Sequence, residues 1–295
     1  VSTSTLFTVI IPVYRDNDRL IKCLKTILNQ TVSLDIIEVL IINNDPKFRI
    51  SLPIEFITKL NLQIILEEKP GSYAARNKGI AQAKGQIFAF TDSDCLLSEN
   101  WLKVAYEYFS NDKRMEIGIL TGPVPLFFKN PKVLSDAEVY EKYTGFTTES
   151  YAKEGYAITA NWLSPAFVIK EFGGFNADLK SNGDSELSGR ISQKYKIVYS
   201  PKLIVHHPAR YYTEDLVNKY KRLLGGAFVR RFHGKPKEFR KHVKYFIWRR
   251  YRFAFKKFFT ISLKESLAIL KVCNAINKGA WEEYKSLING GETKR

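Results

Sequence analysis

Four apolar residues, Ile87-Phe88-Ala89-Phe90, lead without a spacer into Thr91-Asp92-Ser93-Asp94, and this junction constrains the chain more than any other stretch. A short uninterrupted apolar run suits a strand buried on both faces, as in a parallel sheet, so the two acids fall at a strand's carboxyl end. In open α/β sheets ligands collect there. Two like charges a few ångströms apart repel by roughly 4 kcal/mol at an effective dielectric of about 20. A divalent metal carrying a phosphate is the natural counter-charge. Taken alone, the pattern equally fits a solvated acidic turn ahead of a helix predicted over Ser98–Phe109.

Other segments repeat the theme. Phe7-Thr8-Val9-Ile10-Ile11-Pro12-Val13-Tyr14 reads as a buried strand running into the polar turn Arg15–Asp18, and Glu38–Ile42 reads as another, running into Asn43-Asn44-Asp45. With Ile87–Phe90 these strands should finish on one edge. Between them, Lys69-Pro70-Gly71 makes a turn into an alanine-rich helix over Ser72–Lys84 that carries Arg76 and Lys78. A helix amino end with an arginine is a phosphate environment, although Arg76 could equally pair with a neighbouring carboxylate. The pattern further predicts a helix over Leu20–Asn29, strands over Gln63–Glu67 and Glu116–Thr121, and an irregular stretch containing Gly145 and Gly155. Beyond it come a strand near Tyr156–Asn161, a helix before Gly173-Gly174, a helix around Asp184–Gln193 and a strand over Lys196–Val205. Strands alternating with helices describe a Rossmann-like nucleotide-binding half. Neither a dinucleotide glycine fingerprint nor a P-loop occurs, which argues against NAD enzymes and P-loop ATPases.

The ordered series resembles the inverting GT-A glycosyltransferases of the family 2 type. It comprises Val9–Tyr14, Leu28-Asn29-Gln30-Thr31, Gly71 with Ala75–Gly79, Phe90–Asp94, Trp101-Leu102, Glu171–Phe175, Gly183–Arg190 and His206-His207, from about residue 6 to 208. The resemblance implies a GT-A catalytic domain over residues 1–210 and a nucleoside-diphosphate sugar donor, UDP favoured over GDP. Pro12, Tyr14, Asn43, Asn44, Asp45, Arg76, Asp92, Ser93 and Asp94 are then the residues expected around the donor. Asp94 becomes the metal ligand, Asp92 faces the ribose or shares the ion, and His207 follows Pro201 at the family's spacing for a metal-binding histidine. His206 should point to the opposite face of its strand. Hard oxygen ligands suit Mn or Mg. Asp184 matches the general base, with helix capping as its bland alternative. Asn161, Trp162 and Glu186 fall on the acceptor side, Trp162 as a stacking platform or as a core aromatic. Glu186 and Arg190 are spaced to pair along a helix, with Arg190 structural.

Two positions depart from the family pattern. Many relatives carry Asp where this chain has Asn43, which shifts nucleobase recognition toward Asn44 or Asp45, and many carry Glu-Asp where it has Gly183-Asp184.

Composition matters most at the carboxyl end. The chain's net charge is +16 over 295 residues, and residues 219–257 hold fifteen Lys and Arg against Glu238 alone, which is +14 of that total. From Phe239 to Phe259 aromatics interleave with these charges, and helical spacing collects Phe239, Val243, Phe246 and Ile247 on one side, away from Lys241, Lys244 and Arg252. This pattern predicts a basic, aromatic helical extension over residues 211–295 lying on an anionic membrane surface; a helix packed on the protein with a solvated basic face is the alternative. Nucleic acid is not expected, because no recognised binding module accompanies the charge. Three scattered cysteines exclude a disulfide framework. The uncharged stretch Tyr156–Ile169 is shorter than the ~18 to 20 residues of a membrane span, and no signal peptide is evident. Together these features predict a cytoplasmic enzyme, peripheral at the inner membrane face, that transfers a hexose to a glycan or lipid-linked acceptor of the cell surface. The different-class alternative is a non-catalytic sugar-nucleotide fold that works through its basic aromatic tail.

Overall fold

The computed structural model describes residues 5–294 and divides into two compact units. The first takes the chain up to residue 125 together with 146–178 and 183–207; the second takes 126–145, 179–182 and the chain from 208 onward. Where the sequence suggested one cut at 210, the second unit also recruits 126–145, because Ala137 and Tyr140 bury against Leu216, Ile269 and Val272.

The first unit opens with β1 (Phe7–Val13), α1 (Asn17–Leu28), β2 (Ile37–Asn43), α2 (Ile54–Lys59), β3 (Asn61–Leu66) and α3 (Ser72–Gln82). It continues through β4 (Ile87–Phe90), β5 (Leu96–Leu97), α4 (Trp101–Asn111) and β6 (Ile117–Thr121). After β7 (Leu126–Phe127) and α5 (Asp136–Thr144) of the second unit come α6 (Thr148–Lys153), β8 (Trp162–Pro165), α7 (Ala166–Glu171), α8 (Gly183–Ile191), β9 (Lys196–Tyr199) and β10 (Val205–Pro208). A seven-stranded sheet runs in the order β3-β2-β1-β4-β8-β6-β9. Strands β3, β2, β1 and β4 are mutually parallel and β8 is antiparallel to both its neighbours. Every residue of β1, β2 and β4 is buried, as unbroken apolar runs require. From β1 the chain builds outward through β2 and β3, then returns to the other side of β1 with β4. That reversal is the topological switch point, where such sheets bind ligands beyond their carboxyl ends. On α3, Gly79 lets the helix lie close to the sheet, since a Cβ there would fall 2.5 Å from Ile10 Cγ2.

Sequence and structure part between residues 122 and 161. The stretch expected to be irregular holds α5 and α6, and α5 begins with a capping box in which Ser135 Oγ accepts from the Glu138 N–H at 3.2 Å and Glu138 Oε2 accepts from the Ser135 N–H at 2.8 Å. The strand expected near Tyr156 starts at Trp162, after a short 3₁₀ turn over Thr159–Asn161. The predicted strand over Lys196–Val205 is β9 and β10 joined by a turn at Pro201-Lys202.

In the second unit α9 (Thr213–Ala227), α10 (Pro236–Lys257) and α11 (Leu263–Ile288) follow one another. Phe239 and Val243 of α10 are buried with Leu224, Ala280 and Tyr284, and Phe246 and Ile247 pack against them. The apolar side that the sequence assigned to a membrane is therefore a protein core, a correction with a simple cause: α11 supplies the apolar partner. A different face of α10 stays exposed. Tyr245, Trp248 and Phe255, with Phe259 just past the helix end, are 51% or more exposed, Phe259 reaching 75%. Their spacing of three and four residues puts them in one stripe with Lys241 and Arg252. Tyr245 stacks on Trp248 and the Arg252 guanidinium lies 5.3 Å from the Trp248 ring centre. Among the described residues no helix is long and apolar enough to cross a membrane.

Candidate active site

Beyond β4 the chain makes a turn in which the Cys95 N–H donates to the Asp92 carbonyl at 3.1 Å. This turn brings both carboxylates toward β10, which pairs antiparallel with β5. Alternation along β10 turns His207 inward and leaves His206 exposed, as the period of a strand demands. His207 Nε2 lies 3.8 Å from Asp94 Oδ1, and the ligand-type atoms of Asp92, Asp94, Cys95 and His207 all lie within 4.8 Å of one another. Two carboxylates and an imidazole fit a hard divalent cation. Cys95 is the poorer donor, since burial pushes its thiol well above the ordinary value and keeps it protonated. Burial also raises the Asp94 carboxyl, with Asp92 adding to the rise and His207 and Arg19 opposing it. A cation would relieve that strain directly.

Arg76, on α3, is only 3% exposed and forms an ion pair with Asp92. The pairing read as an alternative from sequence is thus present, and it leaves the Arg76 Nε–H buried without an acceptor among the described residues. Three residues earlier on the same helix face stands Tyr73, whose ring centre is 6.0 Å from the Arg76 guanidinium and whose hydroxyl lies 3.4 Å from Asp184 Oδ1. Asp184 occupies the first turn of α8 and also accepts from the Ser185 N–H at 2.9 Å. Burial raises its carboxyl above the usual range; the Ser185 N–H and Arg76 pull it down and Asp92 pushes it up. Burial and Asp184 together push the Tyr73 phenol up to about 12. Gly183 makes room for this ring, because a Cβ there would fall 2.7 Å from Tyr73 Cε2.

Around the nucleotide positions the picture is mixed. Pro12 is buried in β1, Ser93 is buried between the two acids, and Tyr14 is 62% exposed just beyond β1. Asp45 forms an ion pair with Arg15 and accepts from the Lys47 N–H, which holds its carboxyl below the usual range. Asn43 donates to the Phe48 carbonyl and accepts from the Asp45 N–H. Asn44 donates to the carbonyls of Glu67 and Lys69 and accepts from the Gly71 N–H. Both amide protons are thus committed to the loop before α3.

Two acceptor-side expectations are corrected by burial. Asn161 and Trp162 are both 0% exposed. The Asn161 amide accepts from Trp101 Nε1 at 2.9 Å and donates to the Leu203 carbonyl at 2.7 Å, while Trp162 Nε1 donates to Ser164 Oγ. Both are core residues that align the strands behind the site. Glu186 pairs with Arg190 at 2.7 Å, and Arg190 also donates to the carbonyls of Phe172 and Gly174, which makes it structural as read. Sequence reasoning passed over Tyr73 and Arg19. Arg19, on α1, pairs with Asp16 at 2.6 Å and reaches Asp94 at 3.4 Å. The i, i+3 spacing from Arg76 could have exposed Tyr73; the partner of Arg19 is remote in sequence.

The comparisons with known proteins agree with this geometry. The sequence profile described as Glycosyl transferase family 2 matches residues 8–169. Glycosyltransferase AglE of Haloferax volcanii is 33% identical over 225 residues, covering 75% of this chain and 72% of its own. In fold the chain is similar to the mannosyltransferase PcManGT from Pyrobaculum calidifontis in complex with GDP-Man and Mn2+, with a TM-score of 0.60 at 16% identity over 96% of this chain and 86% of that one. It is likewise similar to S. aureus TarS 1-349 in complex with UDP, with a TM-score of 0.53 at 14% identity over 97% and 92% of the two chains. A parallel half-sheet with its switch point at β1 and β4, an acid turn beyond β4 and these likenesses converge on one assignment: the chain belongs to glycosyl transferase family 2, as a glycosyltransferase of the GT-A fold.

Proposed function

We propose that the chain is a metal-dependent inverting enzyme that moves a sugar from a nucleoside-diphosphate sugar to a hydroxyl of a glycan or lipid-linked acceptor. The observation that carries this reading is the convergence of Asp92, Asp94 and His207 at the switch point of the sheet, within a chain of contacts that runs through Arg76 and Tyr73 to Asp184. Asp94, Asp92 and His207 would hold Mn or Mg. When bound, the cation neutralises charge that accumulates on the departing diphosphate. Arg76 adds a second positive group for the same oxygens, its buried Nε–H lacking an acceptor among the described residues. Tyr14 and Asp45 flank the nucleoside, and UDP is the favoured carrier; one structural neighbour holds UDP and another GDP-Man.

The acceptor oxygen attacks the anomeric carbon as the bond from that carbon to the diphosphate oxygen breaks, and its proton passes to Asp184. A carboxyl raised by burial is a stronger base than a solvated one. The Tyr73 hydroxyl positions it, and Glu186, fixed by Arg190, lines the acceptor side. At the membrane, the exposed stripe of Tyr245, Trp248, Arg252, Phe255 and Phe259 engages anionic lipid at the cytoplasmic face, its charges attracted to the headgroups and its rings seated among them.

The test is release of nucleoside diphosphate from a panel of UDP- and GDP-sugars with Mn, with Mg and with chelator. Turnover of at least one donor is expected with metal and not with chelator. Equal turnover under all three conditions would remove the metal from the reading, and none with any donor would sink it.

A further inference from the structure

Within the second unit, α5, α9 and α10 enclose a cleft of about 400 Å³ lined by none of the residues assigned to glycosyl transfer. Its walls are the rings of Tyr140, Tyr220, Phe246 and Phe253, and Arg249 and Arg250 lie among them. Tyr245 and His242 complete the rim, and among the described residues none lining the cleft is acidic. Arg250 sits in the corner between two rings set edge to face, its guanidinium carbon 3.4 Å from the Phe246 ring centre and 4.1 Å from that of Tyr220. Nη1 donates to the Phe246 carbonyl at 3.2 Å, whereas Nε is buried with no acceptor among the described residues. Beside it the Tyr140 and Tyr220 hydroxyls lie 3.1 Å apart, so one of their two protons is available to a third group. Arg249 stands over the Tyr245 ring at 5.9 Å and has no carboxylate partner among the described residues.

A buried guanidinium donor without an acceptor is a costly arrangement that an anion would resolve. Several donors converging from two arginines and a tyrosine pair suit a tetrahedral, multiply charged oxyanion better than a carboxylate, which offers only two oxygens. The rings around them suit a carbon substituent on that anion. We propose that this cleft binds the phosphate of an organic phosphate ester, with Arg250 and Arg249 on the oxygens and the aromatic walls on the ester's carbon part. Such a group could belong to a lipid headgroup or to a soluble phosphate ester. The inference does not depend on the glycosyl-transfer reading, because every lining residue belongs to the second unit.

Calorimetric titration of the whole chain, without metal or nucleotide, tests it with four probes: inorganic phosphate, phenyl phosphate, benzoate and monomeric dihexanoyl phosphatidic acid. Phenyl phosphate is expected to bind at least tenfold more tightly than either inorganic phosphate or benzoate. Arg250→Gln and Arg249→Gln should each weaken it tenfold or more, and Arg250→Lys less. Phosphatidic acid binding tenfold more tightly than phenyl phosphate assigns the site to a lipid; equal affinity assigns it to a soluble ester. Arg250 is packed between rings, so Arg250→Gln is read only where its melting temperature matches the parent's. Arg249 is exposed, and Arg249→Gln supplies the decision if Arg250→Gln unfolds. Absence of ester binding, binding as tight for benzoate as for phenyl phosphate, or unchanged binding in the folded Gln variants overturns the proposal.

Discussion

The acid turn and α10 handle charge in opposite ways. Around the turn, ionised groups have partners: Asp92 has Arg76, Asp45 has Arg15, Glu186 has Arg190, and Asp94 sits near His207 and Arg19. Along α10, Lys241, Lys244, Arg249, Arg252 and Lys256 have no carboxylate within reach among the described residues. Paired charges in a partly buried setting act over a few ångströms, where each atom matters and salt screens little. Unpaired charges on an exposed helix act as a sum and fade as the Debye length shrinks. On the function proposed above, one region does chemistry at a point and the other generates a field.

The comparison can be broken at either end. The largest effect is expected from Asp94→Asn, which should abolish metal-dependent nucleotide binding; calorimetry with UDP and GDP, with and without Mn, measures it, and unchanged metal-dependent affinity would dismantle the site. Asp184→Asn should slow transfer by roughly 10²- to 10⁴-fold and leave donor affinity intact, the usual contribution of a positioned base. Because the base must be ionised and burial raises its carboxyl, kcat in the parent should fall as pH drops through a midpoint above the ordinary carboxylate range. That acidic limb should vanish in Asp184→Asn, and a limb that persists would assign the titration elsewhere.

Smaller and differently shaped effects belong to α10. Changing Lys241, Lys244, Arg252 and Lys256 to Gln should cost ~4 kcal/mol of binding to anionic vesicles, at about 1 kcal/mol per charge near the surface. Parent binding should weaken between 0.1 M and 1 M salt as the Debye length falls from ~10 Å to ~3 Å. Co-sedimentation that is equal on anionic and neutral vesicles, or absent from both, would refute the field. Trp248→Ala should weaken vesicle binding least of these, and its exposure predicts a stability change within ~0.5 kcal/mol. By contrast Phe239→Ala, on the buried side of the same helix, should lose ~3–5 kcal/mol of stability in urea with little effect on lipid affinity in the folded protein.

Those two residues of one helix also mark what sequence could and could not reveal. The parallel strands were legible because burial on both faces leaves unbroken apolar runs, and β4 was placed at its observed ends. His207 and His206 sorted correctly to opposite faces because a strand's period is two. Helix α10 was legible as a helix, but not its buried side, since that depends on α11 supplying the partner surface. Helix α5 carried its own signal in Ser135 and Glu138, which the glycines nearby obscured. Trp162 could not be told apart as platform or core until its neighbours on β4 and β6 were known. Arg19 and Asp94 are 75 positions apart, and nothing local links them.

The close seat of Tyr73 on Gly183 has a consequence for how this enzyme can change. A side chain at 183 would enter the Tyr73 ring, with Cε2 2.7 Å and Cδ2 2.8 Å from the new Cβ. A second acid at position 183 therefore cannot be seated without moving that ring. Gly183→Glu alone must displace the aromatic ring that touches the proposed base, so it should impair the site it seems to enrich. A second acid at 183 and the Tyr73 ring compete for one space, and a smaller residue at 73 would open it.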